Sequence, residues 1–239
     1  MRRLGLLSAR PQHAAEIFKK TVHADGRWSW CHIRGDFEML SRVAIVVLAA
    51  GRATRMAGLN KLLSTIGNVP LVRLSTAEAI YCQKGRVVVV TGHMADEIRK
   101  AVSGLAVTFV HNDQYASGMS SSVRAALQAI PEGCDGMLIQ LADMPLVSRA
   151  HLASMIEAFT ANEGLAAVRA TAFGKPGNPV IVPRSLFANI SAIDGDVGAR
   201  QVLATSRVPV VPVEIGRAAT FDVDTRDDLE AAGGDFGAG

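Results

Sequence analysis

Residues 46–63 read VVLAAGRATRMAGLNKLL. The apolar run that begins at Val43 and continues through Ile45, Val46, Val47 and Leu48 lacks the polar alternation of a half-exposed strand. It therefore predicts a strand buried on both faces. The run stops at Ala49-Ala50-Gly51 and gives way to a short segment with arginines, a lysine and no acid. A small-residue loop at the C-terminal end of such a strand lets backbone N–H groups approach an anion, and in open α/β sheets that edge is where ligands bind. A phosphate is the first ligand to consider.

Working outward, strand and helix patterns alternate. PLVRLSTAEAIYCQ, with Leu71, Leu74, Ala77 and Ile80 near helical spacing, is followed by the apolar run in GRVVVVTGH and the helical MADEIRKAV. LAVTFVHN then reads as a strand, MSSSVRAALQAI as a helix, and GMLIQLADMP as a strand ending at an acid. This order predicts a three-layer α/β/α sandwich around a mostly parallel sheet. Beyond HLASMIEAF, the segments LAAVRAT, NPVIVP and VPVVPVEI read as short strands among helices such as GARQVLA.

The chain has 239 residues, 49% of them hydrophobic, enough to bury a core. No apolar run approaches the roughly 18 residues of a membrane span, and the N-terminus lacks the apolar stretch of a signal peptide. A cytoplasmic protein with no membrane partner is expected. Cys31, Cys82 and Cys134 are odd in number and far apart, which indicates neither a disulfide framework nor a zinc site. The formal charge of +3 lies entirely in residues 1–41, so the rest is neutral and nucleic acid is not an expected partner. That segment carries both tryptophans and shows no clear apolar period over most of its length. It reads as a poorly ordered arm, a targeting segment, or an extension ahead of a start at Met39. The expected organisation is an extension over 1–41, one domain over 42–232 and a flexible tail over 233–239.

Four places carry chemistry. In the opening loop, Gly51 permits a tight turn and Arg55 and Lys61 add cations; GxxxxGK[ST] and GxGxxG are both absent. In LIQLADMPLV, Asp143 ends an apolar strand, where it can hold a magnesium ion on the same phosphate or merely turn the chain before Pro145. In FDVDT, Asp222 and Asp224 alternate and so face one side of an extended segment, either being able to complete a metal site; helix capping by Asp224 or Thr225 competes with that role. The fourth is the pair GKPGNP and GDVGAR, where Lys175 lies in a turn and Asp196 and Arg200 flank Gly198.

Together these segments resemble the motif set of the MobA-like nucleotidyltransferases. LAAGRATRMAGLNKLL is similar to LAAGxSxRMGxxNKLL, HNDQYASGMSSSVRAAL to N-x-x-Y-x-x-G-M-S-S-S-x-R, LADMPLV to a GDMP motif, and GKPGNPV, GDVGAR and FDVDT to the three that follow. Ala-Ala-Gly in the first loop, GMSSS and GNP favour the molybdenum cofactor cytidylyltransferase branch. Ala142 replaces the glycine of GDMP, and Ala53-Thr54 a serine-containing pair.

The resemblance implies a Rossmann-like nucleotidyltransferase (nucleotide-diphospho-sugar transferase) fold. It implies CMP transfer from CTP to the terminal phosphate of molybdopterin carrying molybdenum, with release of pyrophosphate and Mg2+ as cofactor. Arg55 and Lys61 would neutralise the β- and γ-phosphates, Asp143 and Asp224 would hold magnesium, and the backbone of Ala49, Ala50 and Gly51 would bound the nucleotide. The base is expected near Thr91, Gly92 and Ser120, Ser121 and Ser122, although those serines also suit a helix cap. Lys175, Asn178, Asp196 and Arg200 would face the acceptor. A molybdenum hydroxylase apoenzyme or its chaperone would be a transient partner. The alternatives are another cytidylyl- or guanylyltransferase acting on a phosphorylated small molecule, and a non-catalytic cofactor carrier.

Overall fold

The structure is a computed structural model and describes residues 17–22, 28–33, 43–51, 60–82, 86–192 and 198–235. The chain divides at Leu40/Ser41 into two units. In the first, β1 (Ile17–Val22) and β2 (Trp28–Ile33) form an antiparallel hairpin in which Ile17 pairs with Ile33 and Val22 with Trp28.

The second unit is built on the opening apolar run. All seven residues of β3 (Val43–Ala49) are buried, as a strand covered on both faces requires. Val43, Ile45, Val47 and Ala49 enter one apolar cluster, and Val46 and Leu48 the other, the period-2 alternation of a pleated strand. Two short strands, β4 (Thr65–Ile66) and β5 (Val69–Pro70), lead into α1 (Leu71–Cys82). Then follow β6 (Val87–Thr91), α2 (Ala95–Ala101), β7 (Thr108–His111), α3 (Met119–Leu127) and β8 (Gly136–Leu141). The C-terminal part adds α4 (Arg149–Ala161), β9 (Ala167–Ala172), β10 (Lys175–Pro183), α5 (Phe187–Ser191), α6 (Gly198–Thr205), β11 (Val210–Glu214), α7 (Arg226–Ala231) and β12 (Gly234–Asp235).

Seven strands form one sheet in the order β11-β9-β10-β8-β3-β6-β7. β8, β3, β6 and β7 run parallel to one another, and β9 pairs parallel with β11. β10 is antiparallel to both β8 and β9. Helices α1, α2 and α4 pack on one face and α3, α5 and α6 on the other, which gives the three-layer sandwich expected from the alternation of elements. Among the described residues no helix is long and apolar enough to cross a membrane.

The chain leaves β3 on one side for β6 and β7, then returns to the other side for β8. The carboxyl ends of β3 and β8 therefore flank a switch point, the crevice where open α/β sheets take ligands. They are tied there by a bond from Ala142 N–H to Leu48 O (3.2 Å).

Candidate active site

Asp143 follows β8 by two residues, in the turn that precedes α4. The 221–224 segment lies beside that turn because Val223 N–H donates to Asp143 O (2.9 Å). Val223 is fully buried among Leu71, Phe221 and Leu229, so the alternation of an extended segment turns Asp222 and Asp224 the other way. The result is a cluster in which one carboxylate oxygen each from Asp143, Asp222 and Asp224 lie within 4.8 Å of one another. The sequence left Asp224 divided between metal ligation and capping. The cap of α7 is Thr225, whose side chain accepts from Asp228 N–H while the Asp228 carboxylate accepts from Thr225 N–H, so Asp224 stands in the cluster.

Lys61 opens a 3-10 turn (Lys61–Leu63) whose cap is Asn60; the Asn60 side chain accepts from Leu62 N–H at 3.1 Å and buried Leu62 anchors the turn. The Lys61 ammonium lies 2.7 Å from Asp143 Oδ2 and 2.5 Å from Asp224 Oδ1. Burial alone would pull its pKa down, but the Asp143 and Asp224 charges outweigh burial and hold it above the usual lysine value. Asp222 has the opposite problem. Partial desolvation, then the charges of Asp143 and Asp224, raise its carboxyl above the ordinary aspartate range. Asp143 Oδ1 is buried and has no hydrogen-bond partner among the described residues. An orphaned carboxylate oxygen beside two further carboxylates is the all-oxygen donor set that suits a hard divalent cation.

Two cavities meet at this cluster. The first, about 400 Å³, is lined by Ala50, Gly51, Lys61, Tyr115, Ser122 and Asp143, among others. The second, about 570 Å³, is lined by Arg169, Gly177, Asn178, Arg200, Thr220 and Asp222 over an apolar floor that includes Ile139, Met144 and Val180. Met119 and Leu141 line both.

The sequence profile of the MobA-like NTP transferase domain matches residues 45–210. The chain belongs to the MobA-like NTP transferase family. It is similar to the Rv0371c homologue of Mycobacterium sp. strain JC1, with 28% identity and a TM-score of 0.69 over 80% of this chain and 94% of that one. It is also similar to Rv0371c of Mycobacterium tuberculosis H37Rv, crystallised as a complex with manganese, with 25% identity and a TM-score of 0.65 over 79% of this chain and 96% of that one. The Bifunctional protein GlmU of Desulfotalea psychrophila is 30% identical over 137 residues, 57% of this chain but 40% of its own length.

For a MobA-like domain, half of the sixteen site residues picked from sequence fall around these cavities or in the acid cluster. Ala50, Gly51, Lys61, Ser122 and Asp143 line the first, Asn178 and Arg200 the second, and Asp224 joins the acid cluster. Ala49 ends β3, is fully buried in the apolar cluster on the α1, α2 and α4 face, and lines neither cavity. Thr91 and Gly92 line neither cavity. Thr91 is buried with its hydroxyl on Val110 O (3.2 Å), and a Cβ at Gly92 would lie 2.6 Å from Tyr115 Cβ and 2.9 Å from Ala50 Cβ. Gly92 thus lets Tyr115 and Ala50 close on each other at the cavity wall.

The serines do not cap α3: the N-cap is Gly118, with no side-chain cap bond. Asn112 donates instead to Ser121 Oγ (2.8 Å) and Ser122 Oγ (3.0 Å), while the buried Ser120 hydroxyl has no partner among the described residues. Lys175 is exposed at the start of β10 and lines neither cavity. Arg55 and Asp196 lie outside the described residues. Reading the sequence assigned nothing to Asn112, Tyr115 or Arg169. The first two stand in the quoted N-x-x-Y motif, whereas Arg169 is a lone cation in a short strand and no sequence signal marks it.

Proposed function

We propose that the protein transfers CMP from CTP to the terminal phosphate of molybdenum-loaded molybdopterin and releases pyrophosphate. The observation that carries this reading is the junction itself: one ammonium and three carboxylates at the meeting of two cavities of substrate size. CTP takes the cavity lined by Gly51, Lys61 and Ser122, and the acceptor takes the cavity lined by Asn178 and Arg200. The choice of cytidine over guanosine and of molybdopterin as acceptor is supported by Ala49-Ala50-Gly51, by GMSSS and by GNP in this chain.

In the reaction an acceptor phosphate oxygen forms a bond to the α-phosphorus of CTP while the bond from that phosphorus to the bridging oxygen of the β-phosphate breaks. The electron pair leaves on pyrophosphate. The attacking oxygen is already ionised near neutral pH, so the chain has no proton to remove and acts by positioning and charge compensation. Lys61 stabilises the charge that develops on the leaving group. Ala50 and Gly51 bound the nucleotide closely because neither carries a bulky side chain. Asp143, Asp222 and Asp224 would hold a divalent cation, which we assign as Mg2+. Held there, a divalent cation would supply charge neutralisation to phosphate oxygens.

Pyrophosphate release with magnesium and molybdenum-loaded molybdopterin, CTP against GTP, tests the proposal. Release with CTP is expected, falling about 100-fold or more in Asp143→Ala with the melting temperature preserved. Release with GTP alone moves the protein to the guanylyl branch. Tight pterin binding with no release from either nucleotide makes it a carrier.

A further inference from the structure

The larger cavity carries a feature that the proposed reaction has not used. Arg169 lies in the middle of β9, opposite Val180 of β10 and Pro212 of β11, on a sheet face otherwise given to the α3, α5 and α6 layer. β10 changes register between Pro176 and Val180, and the displaced Gly177 carbonyl accepts from Arg169 Nε (3.1 Å). That bond fixes the plane of a half-buried guanidinium and leaves its terminal nitrogens without a partner among the described residues. Arg200 reaches the same cavity from the first turn of α6. There its charge adds to the partial positive charge of the helix N-terminus, where an acid is the usual occupant. Neither arginine makes an ion pair with an acid among the described residues. Burial and, second, the charge of Arg200 hold the Arg169 pKa below its usual value, as expected for two like charges sharing one space.

Half-buried Arg169 and exposed Arg200 are like charges on the wall of one cavity with no paired acid among the described residues, and they repel each other until an anion joins them. The fork of arginine matches the oxygens of a phosphate better than a point charge does. We propose that Arg169 and Arg200 form a clamp for the phosphoryl group of the acceptor, and that Arg169 is a positioning residue that restricts acceptors to phosphate monoesters. This inference rests on the reading of the larger cavity as the acceptor site. A dianion entering it faces the charge of the acid cluster, of which Asp222 lines this cavity, and the two arginines that line it as well offset that repulsion. They hold two of its oxygens and leave the third for attack.

The test uses the full chain, its nucleotide cavity filled with α,β-methylene-CTP and magnesium, and titrates phenyl phosphate against uncharged phenol. Wild-type protein should bind phenyl phosphate and not phenol. Arg169→Gln should weaken phenyl phosphate binding about tenfold or more, with Arg169→Lys between the two and the affinity for α,β-methylene-CTP unchanged in both. In turnover with molybdopterin, Arg169→Gln should raise the acceptor KM by a similar factor and leave the CTP KM alone. Wild-type protein that ignores phenyl phosphate overturns the clamp. So does Arg169→Gln that binds it normally, or that loses acceptor and nucleotide together with a lowered melting temperature. Phenyl phosphate bound through Arg169 with no pyrophosphate release from molybdopterin removes the cytidylyl reading and keeps the clamp. Normal acceptor KM in Arg169→Gln during active turnover does the reverse.

Discussion

Lys61 sits against the carboxylates that would hold a metal, its ammonium 2.7 Å from Asp143 Oδ2 and 2.5 Å from Asp224 Oδ1. An ammonium in that position balances the acid cluster and competes with any cation that enters it. Lys61→Met should therefore bind Mn2+ about tenfold more tightly than wild type without nucleotide, measured by the loss of the free-ion EPR signal. The same variant should release pyrophosphate about 100-fold more slowly, because the leaving group loses its partner. Glu214 is a second residue whose charge is held in place, away from the cavities. Its carboxylate accepts from Phe173 N–H (2.8 Å), Gly174 N–H (3.2 Å), Thr171 Oγ1 (2.9 Å) and Gly216 N–H (3.0 Å), and these bonds hold its pKa below the ordinary value. A depressed acid contributes stability above its unfolded pKa of about 4.3 and loses it as pH falls through the folded value. Glu214→Gln should accordingly flatten the fall in melting temperature below about pH 4.3, as followed by circular dichroism.

At the scale of elements, β10 shapes the larger cavity. Its register shift carries Gly177 against the 216–219 turn so closely that a Cβ there would lie 2.0 Å from Ala219 O. Gly177→Ala should lower stability by about 1–3 kcal/mol in urea unfolding. It should also raise the acceptor KM, since the Gly177 carbonyl that orients Arg169 must move. None of this was legible in the sequence. Period-2 patterning marked NPVIVP as a strand but cannot say that it runs antiparallel to both neighbours, because direction is set by the length and path of the connections. β3 was legible for the converse reason: a run without polar residues can sit only in the middle of a covered sheet. The hairpin of residues 17–33 showed no apolar period to announce it.

For the molecule as a whole, the layers and the position of the site followed from the alternation of elements, since a switch point exists wherever strand order reverses. Asp143 was legible because a lone acid closes an apolar strand. Its union with Asp222 and Asp224 was less so, because the Val223 to Asp143 backbone bond is a tertiary event that no local pattern encodes. The serines of α3 were ambiguous for the same reason: Ser121 and Ser122 accept from Asn112, which follows β7, and no local pattern encodes that contact. The shared wall of Met119 and Leu141 has a kinetic consequence. Two substrates that meet across one partition react directly, without first parking the nucleotidyl group on the protein. Initial-rate lines at varied CTP and acceptor should intersect rather than run parallel, and radioactive pyrophosphate should not exchange into CTP until the acceptor is present.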